Sequence, residues 1–261
     1  MMPRVTVIGS TGFVGSAFVR YLKNAGVELR EVTRQNYDEL KGIESDVVIE
    51  SACNSKKFLA EKNLLQDFEL SVTHRLRTLQ DFPANFHLHI SSVDVYSDLT
   101  QTATTKEDIE IDLKTSSHYG FNKLLAEQLV EHHAKNWLIL RLAGMIGEGL
   151  RKNPIFDILN DGQIFIHPDS QYQFMPTDEV ARIAWSLVEK NVTGEIFNLC
   201  GDGLISPREI AKIAGKELLQ SDESKNSTPR IVTINNEKIK QFADIPKTQE
   251  SVAEFIKSWN L

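Results

Sequence analysis

The sequence predicts an α/β fold, a doubly wound parallel sheet followed by a small C-terminal α+β lobe. Three observations predict it. Short β-branched runs alternate with helical stripes as far as Leu142, a glycine cluster joins the first run to the first stripe, and after Gly149 the alternation breaks up. There Pro154, Pro168, Pro176 and Pro207 interrupt shorter segments. Parallel neighbours need crossover connections, and an alternating βα pattern supplies them.

Val5-Thr6-Val7-Ile8 reads as the first strand, with Phe18, Val19 and Leu22 at helical spacing behind it until Gly26 stops the pattern. Val27 to Val32 alternates apolar and charged residues as a second strand. Asp46-Val47-Val48-Ile49 opens a third, fully buried in character. Between these two, Tyr37 to Ile43 has room for a small helix at most, so a full strand and crossover helix are trimmed away. Leu64, Phe68, Val72, Leu76 and Leu79 mark an apolar stripe on a helix over residues 63–81. Phe86 to Ile90 is a strand ending at Ser91-Ser92, Tyr119 to His132 a helix through Leu124, Leu125 and Leu129, and Trp137 to Leu142 the next strand. The expected division is residues 1–149 as the sheet domain, with 178–200 returning to it, and residues 150–177 and 201–261 as the small lobe. Ser221 to Ser227 reads as a polar surface loop.

Composition narrows the class of function. A chain of 261 residues that is 41% hydrophobic and 25% charged can bury a core as one domain or two joined lobes. Its net charge of -7 argues against a general nucleic-acid or membrane-surface binder, which needs clustered basic residues. Cys53 and Cys200 are far apart, without metal or disulfide spacing, which fits a reducing cytoplasm. The apolar run after Arg4 is too short for a signal-peptide core, and no stretch approaches a membrane span. His87, His89, His118, His132 and His133 show no metal-ligand pattern, so no metal is expected.

Gly9-Ser10-Thr11-Gly12-Phe13-Val14-Gly15 follows the first strand directly and opens the first helix, the context that makes three glycines a dinucleotide site of Rossmann type. Gly9 permits the sharp turn, Gly12 lets backbone approach a pyrophosphate, and Gly15 lets helix and strand pack closely. Where an NAD site usually offers a carboxylate to the ribose, this chain offers Thr33-Arg34. A guanidinium suits a 2'-phosphate, so NADP(H) is favoured, with NAD(H) as the alternative and a solvated arginine as the bland one.

Tyr119 and Lys123 lie four apart on one helix face, toward the sheet edge where Ser92 ends its strand. An ammonium ~5 Å from a phenol, at an effective dielectric of ~20, contributes roughly 3 kcal/mol, on the order of two pKa units. Such a tyrosine can exchange a proton with a substrate oxygen that Ser92 holds. Tyr37 and Lys41 have the same spacing, so spacing alone decides nothing. A serine-bearing strand before Tyr119 and an apolar helix after it set that pair apart.

With these motifs the chain resembles an extended short-chain dehydrogenase/reductase of the NAD-dependent epimerase/dehydratase family, which includes nucleotide-sugar epimerases, dehydratases and 4-keto reductases. The likeness runs through Val7 to Ser16, Asp46 to Cys53, Ile90 to Tyr96, Tyr119-Gly120-Phe121-Asn122-Lys123, Leu140-Arg141-Leu142 with Gly147-Glu148-Gly149, Met175 to Ala181 and Phe197 to Gly201. It implies Ser92, Tyr119 and Lys123 as the catalytic set, with Lys123 also on the nicotinamide ribose. It places Gly9, Thr11, Gly12, Phe13, Val14, Gly15, Arg34, Ala52, Ser91 and Leu142 along the cofactor.

Departures accompany the likeness. Ser97 stands where glycine usually follows Tyr96, and Glu148 replaces a proline in the glycine turn. Tyr172 and Pro176 stand where an arginine and a histidine usually grip a diphosphate, with Tyr172, Arg151 and Lys152 as candidate substitutes or solvated residues. Asp94 occupies the place of a dehydratase base, yet Val93 replaces its acidic neighbour, so capping or surface duty is favoured over catalysis.

The leading expectation is hydride transfer at a sugar carbonyl or alcohol, with a nucleotide-sugar as the small-molecule substrate. A redox-neutral epimerase or dehydratase that retains NAD is the alternative, and a non-catalytic dinucleotide sensor or scaffold is the alternative from another class. The resemblance also implies a homodimer through the helices of residues 63–81 and 119–135.

Overall fold

The computed structural model describes residues 2–259. In chain order the elements are β1 (Arg4–Ile8), α1 (Phe13–Leu22), β2 (Glu28–Val32), α2 (Tyr37–Leu40), β3 (Ser45–Glu50), α3 (Lys57–Lys62), α4 (Leu64–Phe68), a π-helical turn (Glu69–Thr73), α5 (His74–Asp81) and β4 (Ala84–Ser92). Then come α6 (His118–His133), β5 (Trp137–Leu142), β6 (Gly144–Ile146), α7 (Pro154–Leu159), β7 (Phe174–Pro176), α8 (Thr177–Glu189) and β8 (Glu195–Leu199). The chain ends with α9 (Pro207–Ala214), α10 (Asp222–Asn226), α11 (Glu237–Lys240) and α12 (Thr248–Trp259). No helix among the described residues is long and apolar enough to cross a membrane.

Six strands form one sheet in the order β2-β1-β3-β4-β5-β8, and β1 pairs in parallel with both β2 and β3. The chain therefore leaves β1 in one direction and returns on its other side. This reversal opens a crevice at the carboxyl ends of β1 and β3, where ligands bind in open α/β sheets. The interior strands are buried on both faces, as their continuous Val and Ile runs require: Val7, Ile49, Leu88, Leu138, Ile139 and Leu140 are fully buried. The trimmed link between β2 and β3 is confirmed, with α2 only four residues long. Tyr37 packs edge-on to Phe82 at 5.0 Å and donates its hydroxyl to Asp81 at 2.9 Å, so it is a packing residue.

Two expectations are corrected. The helix over residues 63–81 buries only the later part of its apolar stripe, with Val72 buried and Leu79 packed against the Val130 cluster. Leu64, Leu65, Phe68 and Leu70 are exposed, while Asp67, Ser71, Arg75 and Thr78 face inward. The π-helical turn at Glu69–Thr73 adds a residue to the winding, and Asp67, Ser71 and Thr78 each find a hydrogen-bond partner inside, while Arg75 pairs with Glu50. Ser221 to Ser227 is no loop either: Ser221 accepts a hydrogen bond from the Ser224 amide and caps the short helix α10.

The chain forms two compact units. One runs to Ser97 and takes in Glu110–Leu142 and Asp178–Phe197; the other comprises Asp98–Ile109, Ala143–Thr177 and the chain from Asn198 onward. The crossing at Leu142 precedes the expected residue 149, and Asp98–Ile109 falls in the second unit. Hydrogen bonds explain the latter: the Thr105 carbonyl accepts from Asn198, its hydroxyl accepts from the Asn235 amide, and Glu107 accepts from the Asn198 amide. Within this second unit β6 and β7 pair in parallel, and α9 starts at a reciprocal capping box between Ser206 and Glu209.

Candidate active site

The glycine turn is shaped by what a side chain would strike. Gly9 has φ +79°, and a Cβ on it would lie 2.9 Å from the Ala52 backbone nitrogen. A Cβ on Gly15 would stand 2.1 Å from the Gly9 carbonyl oxygen, so only glycine lets α1 come this close to β1. The amides of Gly9 and Ser10 both donate to the Val32 carbonyl, at 3.0 and 3.2 Å, which ties the turn to the end of β2. Gly12 caps α1 without any side-chain bond and no acid sits in the first helical turn. The first amides of α1 are thus left for an anion, favoured there by the helix dipole. Thr11 and Gly12 are exposed, Phe13 and Val14 half-buried. These features fit a dinucleotide pyrophosphate. Across the crevice Ala52 is half-buried, its amide held by the Glu50 carboxylate at 2.7 Å. Arg34 is exposed on the loop after β2, which Asn36 braces by accepting the Thr33 amide at 2.7 Å.

Tyr119 and Lys123 sit on the first turns of α6, buried, with the ammonium 5.3 Å from the tyrosine ring centre. Two local features hold them there. Ser117 caps the helix at the Gly120 amide, and a Cβ on Gly120 would lie 2.0 Å from the Asp94 carbonyl oxygen. Only glycine lets this turn rest on the chain just beyond Ser92. The half-buried Ser92 donates its hydroxyl to Asp94 at 3.0 Å and accepts the Asp94 amide at 3.2 Å. Asp94 in turn pairs with Lys57, so its carboxylate is engaged on both oxygens.

The electrostatics differ from the expected two-unit depression. Burial pushes the Tyr119 phenol up to about 12, with Lys123 pulling against it and Cys53, Asp94 and Asp67 adding to the rise. A phenolate loses its hydration when buried, and here that loss exceeds one cation's attraction. Burial works against the Lys123 ammonium, yet Cys53 and Tyr119 outweigh it and hold the pKa above the usual lysine range. The Nζ of Lys123 donates to Cys53 Sγ at 2.6 Å.

Ser91 points its hydroxyl at the buried Glu127, which Arg141 grips through Nη2 at 2.7 Å and Nε at 3.1 Å. Leu142 is buried at the end of β5. In the second unit, Arg151 and Lys152 are exposed before α7, and Tyr172 is half-buried with its backbone paired to Ile205. Among the described residues no group of His, Cys, Asp and Glu is placed to hold a metal.

Residues 3–253 match the family model described as RmlD substrate binding domain. The chain belongs to this family. Membership in the RmlD substrate-binding-domain family agrees with the resemblance to extended short-chain dehydrogenase/reductase enzymes. No curated protein matches the sequence. Among solved structures, a dTDP-4-dehydrorhamnose reductase from Bacillus anthracis str. Ames in complex with NADP is 15% identical, with 99% of each chain covered and a TM-score of 0.81. A Clostridium acetobutylicum dTDP-4-dehydrorhamnose reductase ortholog is 17% identical over 99% of this chain and 100% of that one, with a TM-score of 0.82. A Bacillus cereus UDP-glucuronic acid 4-epimerase in complex with UDP-glucuronic acid and NAD is 20% identical over 98% and 99%, at 0.78. These likenesses bear out the fold.

Sequence reasoning missed several residues of this RmlD-family site. Cys53, Asn54, Lys57, Asp67 and Glu127 gave no pattern of their own. Asn122 lay in plain view between Tyr119 and Lys123, and its position was the one available signal.

Proposed function

We propose that this RmlD-family protein is an NADP(H)-dependent oxidoreductase that reduces a keto group of a nucleotide-sugar. The observation that carries the reading is the buried Tyr119–Lys123 pair, with its ammonium 5.3 Å from the phenol ring, on a helix whose first turn rests beside Ser92. Bound NADPH supplies the hydride. As the carbonyl carbon receives it, Tyr119 gives its phenolic proton to the carbonyl oxygen, and Lys123 stabilises the phenolate left behind. Ser92 orients the carbonyl by turning its hydroxyl from Asp94 to the substrate oxygen. With Lys57 on one carboxylate oxygen and its backbone amide bonded to the Ser92 oxygen, Asp94 keeps Ser92 in place while the hydroxyl turns; removing a carbon-bound proton is not its task in this reading.

The glycine turn and the uncapped α1 take the pyrophosphate, and exposed Arg34 takes the 2'-phosphate that distinguishes NADP from NAD. The Bacillus anthracis neighbour's complex with NADP supports this choice, and the Bacillus cereus neighbour's complex with NAD marks the alternative. Homodimerisation belongs to the same reading, because Leu64, Leu65, Phe68 and Leu70 leave an exposed apolar surface on the helices implied by the resemblance. A solution mass of 29.5 kDa would speak against it.

The test is NADPH oxidation followed at 340 nm with a dTDP-linked 4-keto-6-deoxysugar, alongside product analysis with UDP-sugars. Consumption of NADPH, lost in Tyr119→Phe, supports the proposal. Protein that retains NAD and interconverts UDP-sugars without net consumption would establish epimerisation instead. Arg34→Ala is expected to weaken NADPH binding at least tenfold while leaving NADH binding unchanged.

A further inference from the structure

We propose that Asp67 is a positioning residue of the hydride-transfer site, setting the register between the loop after β3 and the catalytic helix α6. The inference rests on the oxidoreductase reading of Tyr119 and Lys123. Asp67 is fully buried on α4, off the apolar stripe that the sequence pattern marks. Burying a carboxylate is costly unless donors satisfy it, and a well-packed apolar residue would serve folding as well or better. Here the donors are specific. Oδ1 accepts from the Asn54 amide at 2.6 Å and the Ser71 hydroxyl at 3.3 Å, and Oδ2 accepts from the Asn122 amide at 2.8 Å.

The positions of those donors give the carboxylate its role. Asn122 precedes Lys123 and lies three residues beyond Tyr119 on α6. Asn54 follows Cys53, the residue whose sulfur meets Lys123 Nζ at 2.6 Å. Asn54 also closes its own loop, accepting the Lys56 amide at 2.8 Å and donating to the Lys56 carbonyl at 3.1 Å. Hydrogen bonds and backbone therefore form a closed ring from Lys123 to Cys53, Asn54, Asp67, Asn122 and back to Lys123. Any slip of the loop against the helix must break a bond of that ring. Ser71, four residues beyond Asp67 on the same helical face, reaches the same carboxylate within a stretch that includes a π-helical turn, a local irregularity of the kind found at functional sites. Asp67 also adds to the negative surroundings that hold the Tyr119 phenol protonated.

Asp67→Asn keeps the shape but turns an amide N–H2 toward one of two amide donors, so one bond of the ring is lost. At a temperature where circular dichroism shows the variant folded, kcat is expected to fall at least tenfold while the NADPH dissociation constant stays within about threefold. The double variant D67N/N122D moves the carboxylate across the same hydrogen bond, leaves a side-chain oxygen at position 67 for Asn54, and is expected to restore kcat to within about threefold of wild type. A D67N enzyme with wild-type kcat overturns the proposal, as does a folded double variant no faster than D67N. Amide hydrogen exchange provides an arm independent of turnover: D67N is expected to raise exchange in residues 52–57 and 119–124 together, and the double variant to reverse it. If the wild type reduces no keto-sugar, the functional reading fails on its own, and unchanged exchange in D67N would then refute the role of Asp67.

Discussion

Lys123 donates to the sulfur of Cys53 at 2.6 Å, which joins α6 to the loop at the end of β3. The half-buried Cys53 therefore stands beside the ammonium that the proposed mechanism uses, while Cys200 is fully buried with its thiol pushed upward. Iodoacetamide is expected to modify Cys53 selectively and to abolish turnover, with NADPH slowing the modification. Peptide mapping checks the site. Modification confined to Cys200, or full activity after Cys53 is alkylated, would contradict the arrangement.

The Tyr119 phenol, pushed up to about 12 chiefly by burial, sets the pH dependence. Reduction uses the protonated phenol, so its rate should hold level across neutral pH and fall only in strongly alkaline solution. Oxidation of the product alcohol needs the phenolate, and its rate should climb with pH over the neutral to mildly alkaline range. Lys123→Met removes the cation that pulls this pKa down, and should lower the oxidation rate at pH 9 at least tenfold. An oxidation rate that declines over this range would exclude Tyr119 as the base.

Glu127 and Arg141 form a buried ion pair that also receives the hydroxyls of Ser91 and Tyr96: Ser91 donates to Glu127, and Tyr96 accepts from Arg141 at 2.9 Å. Removing one partner leaves the other buried and uncompensated, which costs about 3–5 kcal/mol. Glu127→Ala should therefore lower the urea midpoint sharply. A loss below about 1 kcal/mol would show that the pair is better solvated than its burial implies.

His87 and His89 are buried in β4, with the His87 pKa lowered to about 4 and that of His89 well below normal, chiefly by burial and then by Arg75. Both are neutral in the folded protein and titrate near 6.5 once unfolded. Stability from the neutral forms is fully present above that value and drains away as pH falls from 6.5 toward 4. His89→Leu should also stabilise at neutral pH, because neither ring nitrogen of His89 has a hydrogen-bond partner. Urea midpoints at pH 7.5 and 5 check both statements, and equal midpoints in the wild type would refute the first.

Much of the fold was legible because its signals are short-range. The Val and Ile runs of β1 and β3, the glycines at 9, 12 and 15 and the trimmed link at α2 each reflect sterics or burial within a few residues. The helix over residues 63–81 was legible as a helix but not in its facing. Its inward side carries Asp67, Ser71, Arg75 and Thr78 beside Val72, and hydropathy cannot register donors supplied by Asn54 and Asn122, the latter 55 residues away. Tyr119, Lys123 and Ser92 were legible as candidates, whereas the balance of charge and burial around the phenol was not.

By itself the sequence determined most of the alternating strands and helices as far as Leu142, the glycine turn between β1 and α1 and the tyrosine and lysine four residues apart, because each depends on chain geometry over one or two turns. Only the tertiary structure decided that Lys123 meets Cys53 across 70 residues, that Lys57 engages Asp94 and that Asp67 binds both the loop and the helix. Burial strengthens those contacts and raises the Tyr119 pKa, and burial is a property of packed elements with no counterpart in the order of residues.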